Sequence, residues 1–209
     1  MIVTEAQGKP RPVSLRIPDW ASQATVDGLP AANGTVYHTP NGAKASGSTT
    51  FKVDFNPEIR VETGFNGAVS VHRGALMFSL PITANYTQYG HHFGGVDQSN
   101  DYSLTPTMDW AYALDLTAPM KFVQQSGYVD GSAPWNHTGW PVMIAVKLRP
   151  VTKDWVLDTN SAAALPEGPV CAGAMGTKVA WECGQPKSIY LVPHGGTDLR
   201  IGEFPLSGF

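Results

Sequence analysis

The stretch at residues 89–102, "YGHHFGGVDQSNDY", concentrates reactive residue types in a chain otherwise poor in them. It holds two adjacent histidines, three glycines, two aspartates and two tyrosines. Imidazole and carboxylate groups can share a metal ion or move a proton, and aromatic rings can stack on a ligand. On a strand, His91 and His92 would point to opposite faces and could not grip one ion. In a loop they could, with Asp97 or Asp101 as further ligands, but no recognised metal spacing is present. No metal and no cofactor are therefore assigned. The glycines permit close backbone approach, so a ligand-contacting loop is the stronger expectation. His92 and Tyr89 are its candidate donors for polarising a bound group, and Tyr86, Phe93 and Tyr102 its candidate ligand contacts.

A second cluster is "PWNHTGWP", which puts Trp135, Trp140 and His137 within six residues. Trp110 lies near another turn. Trp110, Trp135 and Trp140 are candidate walls of an aromatic pocket, and His137 is a third candidate catalytic group. Plain packing under a proline-rich loop is the competing explanation for these rings. Trp20 and Trp155 are assigned to core.

Cys171 and Cys183 are the only cysteines. They flank a hairpin-like segment, and a bridge between them would contribute about 3 kcal/mol. The alternative is a reactive thiol, but no histidine lies nearby in sequence to activate one. Asn33, Asn85 and Asn136 each begin an Asn-X-Thr acceptor. About one such acceptor would arise by chance from this many asparagines. Sequons and an even cysteine count together suggest a secreted protein. The first twelve residues contain no apolar leader core, so a signal peptide would have been removed before Met1. No nucleophile elbow, phosphate-binding loop, dinucleotide fingerprint or zincin motif occurs.

The surrounding composition says what must hold these groups. The chain has 209 residues, 15% of them charged, with a formal net charge of −3, 22 glycines and 17 prolines. Frequent glycine and proline suit many short strands better than long helices. The basic residues form no cluster, which argues against nucleic acid as a partner. No apolar run is long enough to cross a membrane as a helix.

Period-two alternation recurs in "VSLRI", "TFKVDF", "IRVETGF", "AVSVHRGALMFSLPI", "WAYALDL", "PVMIAVKL", "KVAW", "SIYLVP" and "LRIGEF", each bounded by turn residues. The expectation is an all-β, antiparallel β-sandwich of jelly-roll type. It would form one unit over 1–209, with a sub-boundary near 83–105 if there is one, or a pair of small packed sandwiches. Exposed sheet faces would then allow self-association into a homo-oligomer. Residues 107–118 could be helical on propensity alone. "NSAAAL" at 160–165 reads as a capped helical turn.

Four segments in order carry a family resemblance: "VSLRIPDWASQATVDG", "NGAVSVHRGALMFSLPI", "PWNHTGWPVMIAVKLRPVTKDW" and "LVPHGGTDLRIGEFP". Together they resemble the C-terminal β-sandwich region of the bacterial β-L-arabinofuranosidases and their uncharacterised relatives. The resemblance implies a sandwich fold. It also implies that the zinc, its cysteine ligands, the cysteine nucleophile and the acid glutamate belong to a helical barrel that this sequence does not contain. No catalytic residue of that family transfers to any position here. The expected function is a non-hydrolytic relative that binds an organic ligand or glycan in an aromatic pocket. Two alternatives stand beside it: a recruited cyclase of Diels–Alder type, acting by holding reactants together, and an accessory piece of a longer glycoside hydrolase.

Overall fold

A computed structural model describes residues 2–5, 12–40, 42, 47–91, 100–126, 139–151, 155–159, 161–171 and 183–208. The described residues form antiparallel strands and two short 3-10 turns, as the alternation predicts. The chain divides into two compact units. The first is Met1–Ile59 with Arg73–Ala75, and the second is Arg60–His72 with Leu76–Phe209. Residues 83–105 lie inside the second unit.

The first unit is built from two- and three-stranded pieces. Ile2–Glu5 pairs with Gly47–Thr50, Ser14–Arg16 pairs with Val36–His38, and Thr25–Val26 lies between Leu29–Pro30 and Val53–Asp54. Leu15, Ile17, Ala21, Ala24, Val26 and Ala31 form its core. Trp20 and Phe55 close over that core edge-to-face, with ring centroids 5.5 Å apart. Asp27 and Gly28 both have positive φ at the Thr25–Pro30 hairpin, the conformation a tight two-residue turn requires.

The second unit carries an eight-stranded sheet. Its main order is Tyr112–Asp115, Val142–Pro150, Lys187–Pro193, Leu76–Pro81, Val69–Arg73 and Ile59–Thr63. Lys121–Gln124 also pairs with Val142–Pro150, and Arg200–Ile201 with Leu76–Pro81. The long strand Val142–Pro150 shows why the sequence folds this way. Ile144, Val146 and Leu148 recur with the strand period and are buried, while the residues between Val146 and Leu148 and beyond are only partly so. Phe78, Leu80, Leu114, Leu191 and Phe204 fill the same core.

Among the described residues, an ion pair with a buried carboxylate, Asp115 with Arg149, lies in this unit. Asp115 is 2% exposed, and its carboxylate accepts from Arg149 Nε at 2.7 Å, from Thr117 Oγ1 at 2.6 Å and from Thr117 N–H at 3.0 Å. Burial, the largest single influence, pushes its pKa up. The Thr117 donors and the Arg149 guanidinium together outweigh burial and hold the carboxyl below its usual range.

Residues 107–118, which could be helical on propensity alone, contain the buried strand Tyr112–Asp115, as the alternation in "WAYALDL" predicts; pairing with Val142–Pro150 outweighs intrinsic propensity. At 160–165, Ser161–Ala162 is a strand paired with Leu157–Asp158, not a helical turn. Three alanines raise helix propensity, but a run this short cannot nucleate a helix unaided.

Candidate functional site

Residues 84–106 make a two-stranded ribbon, Ala84–His91 paired with Asn100–Pro106. The reactive stretch of the sequence is therefore strand at both ends. A bulge between Gln88 and Gly90 shifts the register beside Tyr89. The ribbon base is closed by Thr107, whose N–H and Oγ1 donate to Thr83 O and Thr83 Oγ1, each at 2.8 Å. That bond fixes the ladder's parity. Ser103 and Thr105 turn their main-chain groups to the partner strand, and Tyr102 and Leu104 turn theirs away from it.

A half-open groove of about 930 Å³ lies against this edge, wholly within the second unit. All five residues from Tyr102 to Pro106 line it. A strand face would contribute only alternate residues, so five in succession mark an edge. The paired strands Leu157–Asp158 and Ser161–Ala162 and the segment 198–201 also line it. That segment is held in place by Ile82 N–H, which donates to Leu199 O at 2.9 Å, and by pairing of Leu80 with Ile201.

The aromatic rings come from three places. Tyr89 is 72% exposed and Tyr102 is 46% exposed, and both line the groove with Trp110. Trp110 stands edge-to-face on buried Trp155, with centroids 5.2 Å apart. Trp155 in turn donates its indole N–H to Ala163 O at 3.1 Å, which ties both rings to the 157–162 hairpin.

The polar groups are Asp158, Ser161, Asp198 and Arg200. Asp158 Oδ1 accepts from Thr159 N–H at 2.7 Å. Asp198 Oδ2 accepts the Tyr86 hydroxyl at 2.8 Å. Desolvation first, and then the hydrogen bond and charge of Asp198, push the Tyr86 phenol up to about 12. Tyr86 also meets Tyr102 edge-to-face at 6.2 Å, a diagonal contact across the ribbon.

Arg200 is anchored from behind. Its Nε donates to His194 Nε2 at 2.9 Å and its Nη1 to Thr197 O at 2.6 Å. Arginine can only donate, so His194 Nε2 must accept, and the neutral ring carries its proton on Nδ1. That proton goes to Ser79 Oγ at 2.8 Å, and Ser79 is fully buried. Burial first, and then the Arg200 charge, lower the pKa of His194, which agrees with a neutral ring. Gly202 packs closely against this network. A Cβ there would stand 2.6 Å from Met77 Cε, 3.2 Å from Ser79 Oγ and 3.4 Å from His194 Nδ1.

Of the residues singled out by sequence, Tyr89, Tyr102 and Trp110 meet in the groove, and Tyr86 supports it through Asp198. Trp140 is not among the residues lining the groove; its indole N–H donates to Gly196 O at 2.7 Å. His92, Phe93, Trp135, Asn136 and His137 lie outside the described residues. Asn33 and Asn85 are exposed, and Asn33 Nδ2 donates to Asp19 O at 2.8 Å. Cys171 and Cys183 form a disulfide, so neither is a reactive thiol, and a bridge of this kind is compatible with an extracellular protein. Among the described residues no group of three or more His, Cys, Asp or Glu side chains gathers to hold a metal ion. Sequence reasoning missed Ser79, Asp158, Ser161, His194, Asp198 and Arg200. The one local signal was polar clustering in "HGGTDLR", which reads as turn chemistry.

No family model matches the sequence, and no curated protein matches it either. A solved structure titled "Glycoside hydrolase" superposes with a TM-score of 0.52 at 15% identity. The match covers 98% of this chain and 29% of that one, so the chain spans under a third of the length of the structure it matches. At that identity the likeness speaks for the fold alone, and it establishes a fold related to that of a glycoside hydrolase.

Proposed function

We propose that the chain is a non-hydrolytic carbohydrate-binding module, taking a glycan in the groove beside the 84–106 ribbon. The observation that carries this reading is the convergence of Tyr89, Tyr102 and Trp110 with Asp158, Ser161, Asp198 and Arg200 in one half-open cleft. Sugars present apolar C–H faces to aromatic rings and hydroxyls to charged or polar groups at the same time, and this lining offers both. A cyclase acting by holding reactants together would fit an enclosing apolar pocket better than this half-open groove lined by charged groups. The likeness to a glycoside hydrolase fold and the resemblance to the arabinofuranosidase sandwich region support a carbohydrate as ligand. Secretion, with glycans on Asn33, Asn85 and Asn136, belongs to the same proposal.

Titration calorimetry against arabino-, galacto- and galacturono-oligosaccharides tests the reading, with a reducing-sugar assay alongside. The expected result is saturable binding without sugar release. Tyr89→Ala or Trp110→Ala should weaken it at least about tenfold, which corresponds to ~1.4 kcal/mol for one lost stacking surface. Binding to no glycan, or affinity indifferent to both substitutions, would refute it.

A further inference from the structure

We propose that the groove selects an acidic glycan, one whose sugar units carry carboxylates, and that Arg200 is the residue that reads the acid. The proposal rests on the glycan-binding reading above and deepens it. Arg200 lines the groove, yet among the described residues no carboxylate pairs with it, although Asp158 and Asp198 line the same cleft. Its two anchors are both uncharged: the His194 imidazole and the Thr197 carbonyl. A guanidinium has five N–H donors, and these anchors take two, so three remain, both Nη2 protons among them. A planar cation held rigidly from behind, with donors left over at an open cleft, matches the geometry of a carboxylate.

The anchoring network removes the usual cost of ordering a long side chain. Ser79 fixes His194, His194 fixes Arg200, and Gly202 packs closely against Ser79 and His194. His194 is thus a positioning residue that does not itself touch ligand. Asp158 and Asp198 line the same groove and are acceptors suited to the hydroxyls of the same sugar.

The experiment compares trigalacturonate with its fully methyl-esterified form by calorimetry at pH 7, using the whole chain. Esterification removes the charge and leaves the sugar. The acid should bind at least tenfold more tightly than the ester. Arg200→Gln should bring the acid-to-ester ratio to about one. His194→Leu should reduce the ratio severalfold, and His194→Gln, whose side-chain oxygen can accept from Arg200 Nε, should restore most of it. A ratio is insensitive to loss of folded protein, so a merely structural role for His194 would leave it unchanged. Equal affinities in the parent protein, or binding of neutral oligosaccharides alone, overturn the acid selectivity and leave the glycan reading standing. Silence toward acidic, esterified and neutral oligosaccharides alike overturns both.

Discussion

Replacing Asp115 by asparagine keeps the shape of the side chain and removes its charge. In the parent protein, Oδ1 accepts twice from Thr117 and Oδ2 accepts from Arg149 Nε at 2.7 Å. An amide has one acceptor oxygen and one donor nitrogen in those places. Whichever way it turns, a donor faces a donor, at Thr117 or at Arg149. The Asp115 side chain is 1% exposed and that of Arg149 is 19% exposed, so the guanidinium keeps partial access to water. That places the cost near the low end of the range for breaking a buried pair, about 3 kcal/mol. For a chain of this size it corresponds to a fall of roughly 6–12 °C in Tm. The effect must also depend on pH. The folded pKa of Asp115 is depressed, so its stabilisation is complete above the unfolded value near 3.8 and disappears as pH falls through the folded value. The gap between parent and Asp115→Asn should therefore be widest from pH 5 to 7 and should narrow below the unfolded pKa. Urea unfolding followed by near-ultraviolet circular dichroism, at a series of pH values, reads it directly. Removing both charges in Asp115→Leu/Arg149→Met should recover more than half of the loss, because no charge is then stranded. A gap below about 0.5 kcal/mol at neutral pH, or one of constant size down to pH 3, would refute the account of this pair.

Breaking the Cys171–Cys183 bridge by Cys183→Ala should destabilise the protein by about 3 kcal/mol, as loop entropy requires for cysteines 12 residues apart; denaturant unfolding with and without reductant measures it, and no difference would refute it. The Tyr86 phenol should ionise near 12 in an ultraviolet titration. Asp198→Asn should bring that step down toward the ordinary tyrosine range, and an unmoved step would exclude the Tyr86–Asp198 contact in solution.

Much of the sheet was legible in the chain because a pleated strand is a local pattern. "VMIAVKL" alternates, and alternate side chains must face the same side of the sheet, so Ile144, Val146 and Leu148 had to enter one core. Between the strands Val69–Arg73 and Leu76–Pro81 the chain turns at Gly74, whose φ of +59° glycine adopts without strain. Aromatic candidates around the ribbon could be named, since large rings next to turn residues stand out. Local pattern failed where pairing overrode propensity, as at Ser161–Ala162.

The polar half of the site was not legible, and distance along the chain explains it. Ser79 and His194 are 115 residues apart, and Tyr86 and Asp198 are 112 apart. Nothing in "LVPHGGTDLRIGEFP" marks His194 as the acceptor that steadies Arg200, because that role exists only once Leu80 pairs with Ile201 and the segment is laid beside the ribbon. Residue order fixed which side chains could be buried and which could stack. Only the closure of distant strands decided which donors and acceptors would face one another, since hydrogen bonds form over about 3 Å of space without regard to separation in sequence.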